Sequence, residues 1–258
     1  MIPMEKENQR TERLRKAFFI LFWLIVWELA DHLIQNRLIL SGPIRVLGAL
    51  AVQVRQSTFW ITCLTSFLHI AEGFLLSFVC GFLLAVLAHR VRLFREFLAP
   101  VIALLKTVPM VAFVIMLLIW VGNQALTIYL SFLIVFPMVY TSTLSGLESV
   151  SRETLEMAEI YQIRGLRRFL YIYRPAFMPY IISSCKVSLG MSWKSGIMAE
   201  VIGTPEPSIG REMFQAKSYL MTADLFAWTI VVIILSLIFE KAFLVILQRL
   251  SRPVIGRV

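Results

Sequence analysis

The sequence predicts an all-α integral membrane protein, a bundle of six transmembrane helices with its N- and C-termini on the cytoplasmic side. Three observations carry this. Of the 258 residues, 59% are hydrophobic and only 16% are charged, where a soluble domain carries about 25% charged residues. The mean hydropathy is +0.78. The apolar stretches have helical length and lack the alternating pattern of barrel strands, and a backbone in hydrocarbon must satisfy its hydrogen bonds within helices or closed barrels.

The elements follow in order. Ala17 to about Ile34 is the first span; it is long and has no small-residue cleavage site after it, so it reads as a retained helix rather than a signal peptide. Leu64 to Ala88 is the second. From Thr107 to Leu147 no side chain is charged, and one helix of that length would run roughly 60 Å, about twice the hydrocarbon thickness. Two spans must share the stretch, and the break falls at Gly122 to Gln124, where a C-cap glycine meets polar turn residues. Tyr180 to Ile202 and Leu225 to about Leu247 complete the six. Pro100, Pro109 and Pro137 lie within the bundle, each removing a backbone donor.

Orientation follows from the basic residues. Lys6, Arg10, Arg13, Arg15 and Lys16 precede the first span; Arg90, Arg92 and Arg95 follow the second; Arg152, Arg164, Arg167, Arg168 and Arg174 follow the fourth; Arg249, Arg252 and Arg257 follow the sixth. The alternate connections hold only Arg37, Arg45, Arg55, Arg211 and Lys217. By the positive-inside rule the richer side is cytoplasmic. The net charge of +9 is thereby explained without nucleic acid. Cys63, Cys80 and Cys185 stand too far apart for a disulfide framework or a zinc site, and His32, His69 and His89 have no metal-ligand spacing. No metal or cofactor is expected.

One strip, LEMAEIYQIRGLRRFLYIYRPAF (Leu155 to Phe177), sets charges between apolar runs. Ser151 caps a short helix with Glu153 in its first turn, and Thr154, Met157, Ala158 and Tyr161 share one face. Glu153, Glu156 and Glu159 recur every third residue, a repulsion of a few tenths of a kcal/mol per pair. Cations should face them, either Arg164, Arg167 and Arg168 of the same loop or a basic groove on a partner. A solvated amphipathic helix on the membrane surface is the plain alternative.

Here the chain resembles the permeases of binding-protein-dependent (type I) ABC importers, whose last large cytoplasmic loop carries E-x-A, three residues, glycine, then an apolar-proline pair with a second proline four later. Glu156, Met157 and Ala158 match the opening; Phe169, Ile172, Pro175 and Pro179 match the close. Gln162 stands in place of the glycine, with Gly165 three residues later, which predicts a shifted turn; Arg174 replaces the usual leucine. The resemblance extends over about residues 60 to 250. Gly73 and Gly81 match the second span, Lys106 to Gly122 the third-span segment of the nitrate, sulfonate, taurine and thiamine-precursor subgroup, and Ser208 to Trp228 that subgroup's last outer loop.

The resemblance implies an N-terminus, first span and outer loop in 1–60, a permease domain in 61–250 with a coupling loop at 148–179, and a cytoplasmic tail at 251–258. It implies two permease copies enclosing the pore, a cytoplasmic ABC ATPase dimer holding Glu156, Met157, Ala158, Tyr161, Gln162 and Gly165, and an extracytoplasmic binding protein delivering a small polar solute. The chain itself has no ATP site: Gly190 to Ser195 has the Lys-Ser pair of a phosphate loop but a tryptophan in place of its last glycine.

Ionisable residues at membrane depth are costly and face cavities or partners. On the fifth span, Lys194 would attract an anionic solute or else pair with Glu72, Glu200 would tether the outer gate, and Lys186 would snorkel to the cytoplasmic face. With Pro109 these make the candidate translocation path. Glu28 and Asp31 fall at the outer edge of the first span. A secondary carrier would need an ion-coupling site and commonly an internal repeat, and an intramembrane enzyme a nucleophile, paired carboxylates or a metal motif; the sequence has neither pattern.

Overall fold

The computed structural model describes residues 3–36 and 38–251, of which the side chains of 3–14, 16 and 250–251 are not described. Arg37 and, in the expected tail, Arg252 and Arg257 lie outside the described residues, as do the side chains of Lys6, Arg10, Arg13 and Lys16. The described residues are helical with no strand. In order come α1 (Pro3–Ile34), α2 (Pro43–Gln53), α3 (Ser57–Arg90), α4 (Arg92–Thr107), α5 (Met110–Glu148), α6 (Arg152–Ile160) and α7 (Gly165–Arg168). A π-helical turn (Phe169–Tyr173) joins α7 to α8 (Arg174–Gly203), followed by α9 (Ile209–Ser218) and α10 (Thr222–Ser251).

Among the described residues α1, α3, α5 and α10 contain segments long and apolar enough to cross a membrane. The predicted break appears within α5: Gly122 has φ 73° and ψ −175° and divides the run into arms of residues 110–121 and 123–148. That backbone conformation is essentially open to glycine alone. The fifth predicted span lies in α8, whose Lys186, Lys194 and Glu200 interrupt its apolar character. Pro109 departs from expectation. It is the N-cap of α5, after extended Val108, rather than a kink inside a span. Its carbonyl accepts from Ala112 at 3.0 Å, so no helical bond is broken there. Pro100 and Pro137 do lie inside helices.

The chain forms two compact units, one from residues 1–60 and 212–231, the other from 61–211 and 232–258. In the first, α2 begins at Pro43, pre-set for a helix start, after Gly42. No side chain of its own caps it. Glu28 of α1 takes that role, its Oε2 accepting from the Ile44 amide at 3.4 Å, and Arg45 lies 3.6 Å from the buried Asp31. A β-carbon at Gly42 would stand 2.5 Å from the same Glu28 oxygen, so a side chain there would push the Glu28 carboxylate away from the start of α2. Trp27 packs on Phe226 and Phe59 stacks on Trp228, while Gln53 Nε2 donates to Asp224 Oδ1 at 2.7 Å.

In the second unit α3, α5 and α8 approach closely at small residues, as expected where lipid supplies no hydrophobic drive between helices. A β-carbon at Gly73 would come within 2.5 Å of the Ile128 carbonyl on α5, and at Gly146 within 2.8 Å of the Phe177 backbone on α8. At Gly196 it would come within 2.5 Å of Ile70 on α3. Phe74, Phe78, Phe239 and Phe243 interlock beside these contacts, with centroids 4.9 to 6.3 Å apart. The amphipathic α4 lays Phe94, Leu98, Ile102 and Leu105 against Ala85 and Ala88 of α3 and Phe136, Tyr140 and Leu144 of α5.

Candidate functional site

The loop between α5 and α8 is built as the sequence predicts at its start. Ser151 caps α6, its hydroxyl accepting from the Thr154 amide at 3.3 Å. Glu153, fully exposed in the first turn, is held below the usual carboxylate range by its own backbone amide and by the Ser151 hydroxyl. Of the three acidic residues, Glu159 has an arginine from the same loop nearby: Arg168 Nη1 lies 3.9 Å away.

The end of α6 corrects the expected shift. Gln162 itself adopts the left-handed conformation at φ 54°. Its amide donates to the Glu159 carbonyl at 3.0 Å and that of Ile163 to the Ala158 carbonyl at 2.8 Å, the paired bonds of a Schellman cap. The turn therefore stays at the glycine position of the signature. Gly165, at φ 57°, makes a second left-handed bend, with nothing within 4 Å of where a β-carbon would lie. Because a left-handed non-glycine residue costs about 1–2 kcal/mol, and glycine's added chain entropy returns about half of that, Gln162→Gly should stabilise the loop by about 0.5–1 kcal/mol. Slower hydrogen exchange of the α6 amides is the expected signature; unchanged or faster exchange would contradict it.

Which side of α6 faces outward also needs correcting. Ala158 is fully buried within its own chain, with Thr154 and Leu155 half-buried beside it. Met157 is 44% exposed, Ile160 79% and Tyr161 73%. The free face therefore consists of Glu156, Met157, Ile160 and Tyr161, and Ala158 fixes the helix to the body of the protein. Ile160 is the residue that sequence reasoning missed.

At the other end of α8 stands a buried polar latch. Glu200, fully buried, accepts at Oε2 from the Ser66 hydroxyl of α3 at 2.8 Å and from the Gly210 amide of α9 at 3.0 Å. The Ile209 amide donates to Ser66 Oγ at 2.8 Å, and the Arg211 amide to Ser208 Oγ at 3.2 Å. Three otherwise orphaned donors at the start of α9 are thus satisfied, and the carboxylate complements the helix dipole. A β-carbon at Gly210 would stand 2.3 Å from that of Glu200 and 2.5 Å from the Val201 amide nitrogen.

Lys194 points elsewhere. It is exposed on a stripe of α8 with Ser183, Val187 and Gly190, and no ion pair joins it to Glu72, which is exposed on α3. The stripe continues into a cavity of about 390 Å³ lined by Lys106, Thr141, Ser142, Tyr180, Ser183 and Ser184 among others. Lys106, which the sequence offered only as part of a motif, thus shares a hydroxyl-rich surface with the foot of the stripe that carries Lys194. Pro109 is exposed at the α4–α5 junction, and Lys186 is exposed on α8. Among the described residues no group of histidine, cysteine or acidic side chains could hold a metal ion.

Residues 77–256 match the family described as binding-protein-dependent transport system inner membrane component. The chain is similar to SsuC of Bacillus subtilis, a permease assigned to aliphatic sulfonates transport, at 24% identity over 83% of this chain and 77% of that protein. It is 22% identical to the bicarbonate transport system permease protein CmpB of Synechococcus elongatus, over 89% of this chain and 86% of the relative. It is 27% identical to the nitrate import permease protein NrtB of Leptolyngbya laminosa, over 57% and 53%. With its apolar helices and its capped loop helix between α5 and α8, the chain belongs to the binding-protein-dependent transport system inner membrane components, the multi-pass permease subunits of bacterial ABC importers.

Proposed function

We propose that two copies of this chain enclose the translocation path of an ATP-driven importer for a small anion. The end bearing α6 faces the cytoplasm, where each copy seats Glu156, Met157, Ile160 and Tyr161 in a groove of an ABC ATPase subunit. An extracytoplasmic binding protein delivers the solute. ATP binding and hydrolysis on the partner subunits become a rigid-body movement of the bundle. The exposed apolar face of α6 supports the coupling reading most: three large side chains stand free on a helix capped at both ends. A partner copy completes the pore, most simply by a two-fold axis. Co-purified with its ATPase, the permease should give a complex of two permeases and two ATPases by mass; a fully active one-to-one complex would overturn the proposal.

The anionic character of the solute rests on Lys194 and the Lys106 cavity, and agrees with the sulfonate, bicarbonate and nitrate named for the relatives. An ammonium at membrane depth without a carboxylate partner draws anions towards it. Lys194→Met should lower transport several-fold and flatten its dependence on salt, while solute affinity of the binding protein is unchanged and Lys194→Arg keeps part of the activity. Normal transport by a stable Lys194→Met protein would remove Lys194 from the path.

A further inference from the structure

A cavity of about 390 Å³ lies between the last turn of α3 and the run from α7 into α8, lined by His89, Arg90, Gly165, Arg168 and Tyr173 among others. A second of about 440 Å³ adjoins it, sharing Gly165 and Arg168 and adding Arg164 and Glu159. No carboxylate lines the first. Arg168 is only partly engaged: its contact with Glu159 is 3.9 Å long, and its Nε is sealed from solvent with no acceptor. A buried donor left unpaired is costly, and a guanidinium fork matches the paired oxygens of a phosphate.

We propose that this cavity binds a phosphate group, held by Arg168 and Arg90. The oxygens enter beside Gly165, where the missing side chain leaves the space open. Arg168, whose side chain is 29% exposed, donates to one of them from its terminal guanidinium nitrogens, and the exposed Arg90 closes from the end of α3. The group is carried by an anionic lipid headgroup or by a soluble phosphate. Lipid is favoured by the walls: Phe169 and Tyr173 form an apolar side, and exposed Leu83 and Leu87 continue the stripe of α3 that ends at Arg90. Basic pockets between membrane helices take up headgroups in this way. Glu159 competes with the ligand for Arg168, so loop and ligand share one guanidinium.

The test uses the purified full-length chain in detergent, offered phosphatidylglycerol or phosphatidylcholine, with retained lipid counted by native mass spectrometry. Phosphatidylglycerol should be retained over phosphatidylcholine. At about 1 kcal/mol per arginine, or about fivefold, Arg90→Gln and Arg168→Gln should each weaken retention by that factor and the pair by about thirtyfold. Glu159→Gln should strengthen it by freeing Arg168. Displacement of the lipid by millimolar inorganic phosphate would identify the phosphate alone as sufficient, and resistance to displacement would identify the lipid. If Arg168→Gln unfolds the loop, Arg90→Gln and Glu159→Gln still decide, since both alter exposed side chains. Equal retention of the two lipids, wild-type retention by Arg90→Gln, or weaker binding by Glu159→Gln would overturn the site.

Discussion

Gly210→Ala is expected to destabilise the chain by about 3 kcal/mol and to abolish transport, although it adds a single methyl group. That methyl would sit 2.3 Å from the Glu200 β-carbon and 2.5 Å from a backbone nitrogen, neither of which can swing aside. Overpacking of this kind costs about 1–3 kcal/mol. Displacing α9 also strips Glu200 of the Gly210 amide, and a buried oxygen losing its donor adds about 1–3 kcal/mol. Glu200 Oε1 already lacks a partner, so the latch has no spare bond to absorb the loss. Glu200→Gln, which retains an acceptor oxygen for the same amide, should be much milder. Thermal unfolding in detergent and solute-stimulated ATPase activity of the assembled transporter would measure both effects. Wild-type stability in Gly210→Ala would mean that α9 is not held by this contact.

The second large effect separates docking from folding within one short helix. Ile160→Glu changes a side chain that is 79% exposed, so the permease should keep its stability to within about 0.5 kcal/mol. Its affinity for the ATPase should nevertheless fall at least about thirtyfold, the loss of about 2 kcal/mol that marks a central apolar anchor. Ala158→Arg should do the reverse in origin: with no room and no counter-charge at a fully buried position, it should unfold the loop, and ATPase binding would fail as a consequence. Melting curves of the permease alone, read beside titrations with the ATPase, distinguish the two. An Ile160→Glu permease that binds ATPase normally would remove α6 as the docking element.

The contrast between these residues explains what was legible in the sequence. The Gly122 break could be read because an uncharged run too long for one span needs an interruption, and the residue that permits it is chemically distinctive. The Ser151 cap could be read because capping is local, set within three residues. The facing of Ala158 could not, since a nine-residue helix has an inside only once the rest of the chain lies against it. Neither could the partners of Glu200, which the sequence offers only as a tether: Ser66 is 134 residues away. The helices α4 and α9 fall in predicted connections because their charges break the apolar pattern of a span, and α2 because its 11 residues are too few to cross a membrane. They are amphipathic and bury one face within the protein. Lys194 shows the opposite limit. The sequence put it inside a predicted span, but the absence of a Glu72 partner depended on the packing of α3 against α8.

Gly122 also determines how far a push at α6 can travel. The arm of α5 from residue 123 to 148 is about 39 Å long at 1.5 Å per residue, and α6 follows it after only Ser149, Val150 and Ser151. The far end of that arm meets the 110–121 segment through one residue without a side chain, at a point where nothing lies within 4 Å of a would-be β-carbon. Such a joint bends by rotating two torsions and pushes no neighbour aside. With Gly122 as the joint, a tilt of about 10° between the two arms displaces the α6 end by about 7 Å, wider than a water molecule. The long arm is thus a lever, and its pivot compliance resides in a single glycine.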